Sequence, residues 1–90
     1  MGQPRRGPKR LAEKLLKIRK ALGLSQREMA ERLTERLGFT VTHKKVSQYE
    51  HGKRILHLEV ALAYARVGNV QFEQIVDDKM DLTLSTGVKL

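Results

Sequence analysis

The run His43-Lys44-Lys45-Val46-Ser47-Gln48-Tyr49-Glu50-His51 holds most of the side chains in this sequence that could do specific chemistry. At 100° per residue, Val46 and Tyr49 fall on one side of a helix. Lys44, Ser47, Gln48 and His51 fall on the other, with His43 and Lys45 on the flanks. A helix with so thin an apolar stripe cannot be stable alone and must be held by neighbours. Its polar face has the chemistry to read base edges in the major groove. A lysine donates to guanine O6 and N7, and a glutamine amide pairs with adenine N6 and N7. The same face would also suit a plain solvated surface, so its surroundings have to decide.

Those surroundings are basic. Arg5, Arg6, Lys9 and Arg10 precede the first helix, and Lys53 and Arg54 follow the polar helix. Both groups are natural phosphate contacts, and an arginine arm can also enter the minor groove. Residues 1–57 carry 15 basic and 5 acidic side chains, a balance of +10, whereas residues 58–90 carry 3 and 5, a balance of −2. The first part is suited to a polyanion and the second to something else.

Other chemistries lack their residues. His43, His51 and His57 are not joined by a cysteine or a paired carboxylate, so the sequence predicts no metal site. With no Gly-rich phosphate loop and no local nucleophile motif, it predicts no cofactor and no enzyme. Ninety residues make one small domain, and the absence of cysteine excludes a disulfide framework. No apolar run approaches the roughly 20 residues of a membrane-spanning helix. The basic residues near the start are not followed by an apolar segment, so no secretory signal is expected.

The elements that must position the polar helix are legible in outline. Residues 1–8 have two Gly, two Pro and two Arg and are read as a flexible basic arm. Leu11, Leu15, Ile18 and Leu22 line one face of a first helix over about Lys9–Leu22, stopped by Gly23. Ser25-Gln26-Arg27-Glu28 is a capping box opening a second helix, whose buried stripe is Met29, Ala30, Leu33 and Leu37 before Gly38. Phe39-Thr40-Val41 reads as a connection with buried anchors. Thr42 caps the third helix, His43–Glu50, with Gly52 just beyond it. Leu58, Ala61, Leu62 and Ala65 predict a fourth helix, broadened by Val60, Tyr64 and Val67 and broken at Gly68-Asn69. Phe72, Ile75 and Val76 predict a short fifth, ending where Asp77 and Asp78 would oppose its dipole. Residues 81–90 are read as a tail, strand or docked extension, beyond a helical domain over residues 9–80.

The motif Arg19-x-x-x-Gly23-Leu24-Ser25-Gln26-x-x-Met29-Ala30-x-x-Leu33 comes first. Val46-Ser47-x-Tyr49-Glu50-x-Gly52-x-Arg54 and Leu58-Glu59-x-x-Leu62-x-x-Ala65 follow. Over roughly residues 11–77 this resembles the phage repressor and Cro type of helix-turn-helix domain, the xenobiotic-response-element-like family. One departure is clear. Gln26 and Val46 stand 20 residues apart, about six more than in the family, and the surplus falls at about Thr34–Phe39. The resemblance implies an all-α, five-helix, lambda-repressor-like fold with a short C-terminal extension. It also implies a cytoplasmic, nucleoid-associated bacterial or phage regulator, most simply a repressor, that binds double-stranded DNA as a dimer. By the same resemblance His43, Lys44, Ser47 and Gln48 read bases. Gln26, with Arg27, Lys45, Lys53, Arg54 and the arm, would hold the backbone. Gln26 would also brace a side chain of the third helix, and Arg19 and Glu50 would form an interior ion pair.

The less basic half supplies Val70, Phe72, Ile75, Val76, Met80, Leu82 and Leu84, more apolar surface than one small domain needs. These are the expected dimer or partner surface. A rival reading takes the chain as an antitoxin-like protein whose C-terminal segment binds another protein. A third, single-strand or RNA binding, is disfavoured because only 4% of residues are aromatic and base stacking wants exposed rings.

Overall fold

A computed structural model of the chain describes residues 10–83. Five helices follow in order: α1 Leu11–Leu22, α2 Gln26–Leu37, α3 His43–Glu50, α4 Leu58–Gly68 and α5 Phe72–Val76. There is no strand among the described residues. Lys9, expected at the start of α1, lies outside them with the rest of the arm, and Arg10 is the N-cap.

The helix ends follow the chain's punctuation. Ser25 Oγ accepts the Glu28 N–H at 3.0 Å, and Glu28 Oε1 accepts the Ser25 N–H at 2.8 Å, so two orphan donors of α2 are satisfied reciprocally. Those two bonds hold the Glu28 carboxyl below its ordinary pKa. Thr42 Oγ1 caps α3 through the Lys45 N–H at 3.3 Å. Three helices close with the same paired bonds around a left-handed residue. At Gly23 the bonds run from Gly23 N to Lys20 O and from Leu24 N to Arg19 O. Equivalent pairs close α3 at Gly52 and α4 at Asn69.

The surplus residues lengthen α2 to Leu37 and add an extended connection without disturbing the turn. Thr34 pins that connection: its hydroxyl donates to Val41 O at 3.2 Å and accepts the Val41 N–H at 2.8 Å. Val41 is therefore buried, but Phe39 remains 48% exposed, contrary to the expectation that this connection is anchored by buried side chains throughout.

The core joins Leu15 and Ile18 of α1, Met29, Ala30 and Leu33 of α2, Val46 and Tyr49 of α3, Tyr64 of α4 and Ile75 of α5. Two expectations are corrected here. On α4 the inward residues are Val60, Ala61, Ala63, Tyr64, Ala65 and Gly68, while Leu58 and Leu62 are exposed. Small side chains let α4 approach α1 closely. Gly68 is the last residue of the helix rather than its breaker, and the position takes a glycine because a Cβ there would stand 2.8 Å from Ile18 Cγ2. The second correction concerns α5. Ile75 is wholly buried, and Val70, Phe72, Val76 and Leu82 pack against the core, so this stretch fills the domain. Met80 is half-buried, and Leu84 lies outside the described residues.

The end of α5 and the turn after it are held by two cations one turn apart, the N-cap Arg10 and Lys14 of α1. Lys14 is 1% exposed, and its ammonium donates to Gln74 O at 2.6 Å, Asp77 O at 2.8 Å and Met80 O at 2.6 Å. Arg10 donates through its backbone N–H to Asp78 Oδ1 and through its guanidinium to Asp78 O and Asp81 Oδ1. Carbonyls at a helix C-terminus carry partial negative charge, which is what Lys14 caps.

Candidate nucleic-acid interface

The site is built where α1, α2 and α3 meet. Arg19 reaches across to the last residue of α3: Nε donates to Glu50 Oε2 at 2.6 Å and Nη2 to Glu50 Oε1 at 3.0 Å. Its remaining nitrogen donates to Leu24 O at 2.9 Å, in the turn between α1 and α2. The Glu50 side chain is almost fully enclosed, and that proximity reinforces the positive charge of Arg19. Gln26 Nε2 adds a donor to Glu50 Oε1 at 3.1 Å. One carboxylate thus ties three helices together, and the expected ion pair and the expected bracing by Gln26 are both present. The geometry does what a fork-shaped guanidinium is suited to do: it fixes orientation as well as proximity.

Behind this network stand Tyr49 and Tyr64, edge to face with centroids 6.5 Å apart. The Tyr64 hydroxyl is buried and has no hydrogen-bond partner among the described residues. Burial raises its pKa well above the ordinary phenolic range, reinforced by Glu50 and Tyr49.

In front of it α3 presents its polar face. Lys44 is exposed and makes no hydrogen bond or ion pair among the described residues. His43, Lys45, Ser47 and Gln48 are half-buried. His51 Nδ1 lies 2.7 Å from Ser47 O, and because a carbonyl only accepts, Nδ1 carries the proton in this contact. A contact missed in the sequence joins Arg54 to Gln48, where Arg54 Nε donates to Gln48 Oε1 at 2.7 Å. No short-range motif signals a pair six residues apart. It forms because the chain reverses at Gly52, with φ 70°.

The remaining predicted residues divide. Gln26 stands half-buried at the first turn of α2, with Arg27 exposed beside it. Arg27 and His43 are at one groove of about 500 Å³ between α2 and the connection to α3. Lys53 is exposed in the turn after α3. Arg10 is elsewhere, committed to Asp78 and Asp81 near the start of α1. Arg5, Arg6 and Lys9 lie outside the described residues. Among those residues no group of His, Asp and Glu could hold a metal ion, and no helix is long and apolar enough to cross a membrane.

The arrangement is a short helix with a polar outer face, set by a buried ion pair beside the open N-terminus of a second helix. That is the geometry of a helix-turn-helix, in which the second helix enters the groove and the first sits across the backbone. No curated protein and no solved structure matches the chain significantly. A model of the helix-turn-helix family matches residues 15–75, well over half of the chain and all of the elements that build this site. The chain belongs to the Cro/C1-type helix-turn-helix family of DNA-binding transcription regulators.

Proposed function

We propose that the protein is a sequence-specific repressor that binds double-stranded DNA as a dimer and reads the major groove with α3. The observation that carries this reading is the state of the polar face. Lys44 is uncommitted and exposed, while Gln48 is held by Arg54 on a helix that Arg19 and Glu50 fix in place. A donor left free can turn to a base edge, and a side chain already held costs less to order on binding. Lys44 and Gln48 are the principal readers, with His43 and Ser47 beside them. Gln26, Arg27, Lys45 and Lys53 hold phosphates, helped by the free N–H groups of α2, while Arg54, expected among them, is assigned instead to holding Gln48. Arg5, Arg6 and Lys9 are assigned to the same task from the arm. Arg10 is left out because its guanidinium is already engaged. Repression asks no more of such a domain than occupancy of an operator. The antitoxin-like alternative gains nothing from α5, whose apolar residues pack inward.

Selection of bound duplexes from a random pool tests this reading. A pseudo-palindromic site should be enriched, and a pool that stays random would overturn sequence specificity. On that site Lys44→Ala should relax one base position at a cost of about 1–3 kcal/mol. Lys53→Ala should weaken all sequences alike and lower the salt slope by about 0.9. Arg54→Ala should behave differently from Lys53→Ala, relaxing the same position as Gln48→Ala because it releases that side chain. If Lys44→Ala and Lys53→Ala act alike, α3 is not the reader.

A further inference from the structure

We infer that the outer face of α4 is the seam of the homodimer and that its occupant is a second copy of this chain. The inference deepens the reading above, since a two-fold reader of DNA needs a self-complementary surface.

Among the described residues the large apolar side chains that remain exposed are Phe39, Ile55 at 58%, Leu58 at 62% and Leu62 at 37%. Three of the four lie in α4 or the turn leading into it. Along α4 the small side chains Ala61, Ala63 and Ala65 are buried while both leucines face outward. The close approach to α1 fills the interior side of α4 with small residues, and both leucines are left without cover from their own domain. Leu58 and Leu62 are one turn apart, and Glu59 and Arg66 fall within about 100° of the same face. Glu59 and Arg66 are exposed and form no ion pair among the described residues.

The spacing makes this face complementary to itself. Two antiparallel α4 helices related by a two-fold axis at Leu62 bring Leu62 against Leu62. Residue 58 of one copy then lies opposite residue 66 of the other. The aliphatic stem of Arg66 covers Leu58, and its guanidinium reaches Glu59 one residue along. Each of the two charges finds an opposite charge on the other copy, and each exposed leucine is covered. The face also follows directly on the turn that carries Lys53 and Arg54, so the seam adjoins the proposed DNA surface. The segment from Phe72 to Leu82 offers no comparable face, since Phe72, Ile75, Val76 and Leu82 are spent on the core.

Sedimentation equilibrium of the full chain without DNA, run beside duplex binding, tests the seam. The wild type should be dimeric. Leu62→Glu should weaken the dimer on the order of 100-fold while keeping the helical signal, because Leu62 lies outside the core, and its melting temperature should fall only to that of the wild type diluted to monomer. Glu59→Arg should weaken it about 10-fold, and Glu59→Arg combined with Arg66→Glu should restore it. The chain has no cysteine, so Leu62→Cys should form an intermolecular disulfide under mild oxidation, whereas Glu73→Cys on α5 should not. A wild type that stays monomeric, a dimer that survives Leu62→Glu, or a double charge reversal without rescue overturns the seam. The two proposals fail separately. Dimers lost with Leu62→Glu in a protein that binds no duplex would leave the seam and remove the DNA reading. Specific duplex binding by chains whose association ignores Leu62 would do the opposite.

Discussion

Near its start α1 encloses Lys14, and near its end it half-encloses Arg19, yet the two cations are handled differently. Lys14 meets three backbone carbonyls and no carboxylate. Arg19 meets a carboxylate in two places and one carbonyl. A ring of carbonyls constrains the path of the chain that carries them, here α5 and the turn after it. A bidentate pair between side chains constrains the angle between helices, here α3 against α1 and α2. One end of α1 therefore closes the domain, and the other aims its polar face. The difference extends to nearby charges: Arg10 is spent on Asp78 and Asp81, whereas Lys44 and Lys53 are left uncommitted.

The largest effect is expected at the aiming end. Glu50→Leu strands Arg19 and removes the acceptor for Gln26, which should cost about 3 kcal/mol, the lower end of the range for a broken buried pair because Arg19 retains some access to water. Arg19→Leu with Glu50→Leu should recover much of that stability but not the DNA preference, since apolar packing does not restore the angle. Urea denaturation and duplex competition on the same proteins separate the two readouts. An unchanged stability in Glu50→Leu would mean that the pair is not the organising contact.

The closing end should respond in stability alone. Lys14→Met fits the same space and leaves three carbonyls without their donor. A loss of about 2 kcal/mol is expected, seen as a melting temperature lower by about 8–16 °C. Amide exchange should quicken around residues 74–80, while the folded protein keeps its DNA affinity. If Lys14→Met disturbs DNA preference as strongly as Glu50→Leu does, the two ends are not independent.

The aiming end was more legible in the sequence than the closing end, and the reason is local. Ser25, Glu28 and Thr42 act on backbone groups within three residues, and Gly23 and Gly38 stop helices at their own positions, so α2 and α3 could be bounded from the chain. The resemblance then supplied Arg19 and Glu50 as a pair. Lys14 could not be found this way. It reads as one more basic residue of a basic helix, although it stands one turn before Ile18 on the face that is buried. Its three acceptors are backbone carbonyls, which any sequence has. The leucines of α4 misled for the complementary reason. Hydrophobicity marks Leu58 and Leu62 as core, but the close approach of α4 to α1 at Gly68 reserves the interior for alanines.

The smallest expected effect lies behind the aiming end, at Tyr64. Tyr64 is wholly buried, and its hydroxyl lies near enough to Glu50 and Arg19 for their charges to be felt, yet it bonds to neither. A buried hydroxyl without a partner is a cost that removal relieves. Tyr64→Phe keeps the ring and its edge-to-face contact with Tyr49 while deleting that oxygen. The expected result is a protein of equal stability or one more stable by up to about 1 kcal/mol, with DNA preference unchanged. A loss of more than about 1 kcal/mol would show that the hydroxyl is bonded in solution. Glu50 would then serve α4 as well as α1, α2 and α3, and the aiming network would reach the helix assigned to the dimer seam. Thermal melts of Tyr64→Phe in the wild-type and Glu50→Leu backgrounds decide between these, because a bonded hydroxyl makes Tyr64→Phe cost stability in the wild type and much less once Glu50 is gone.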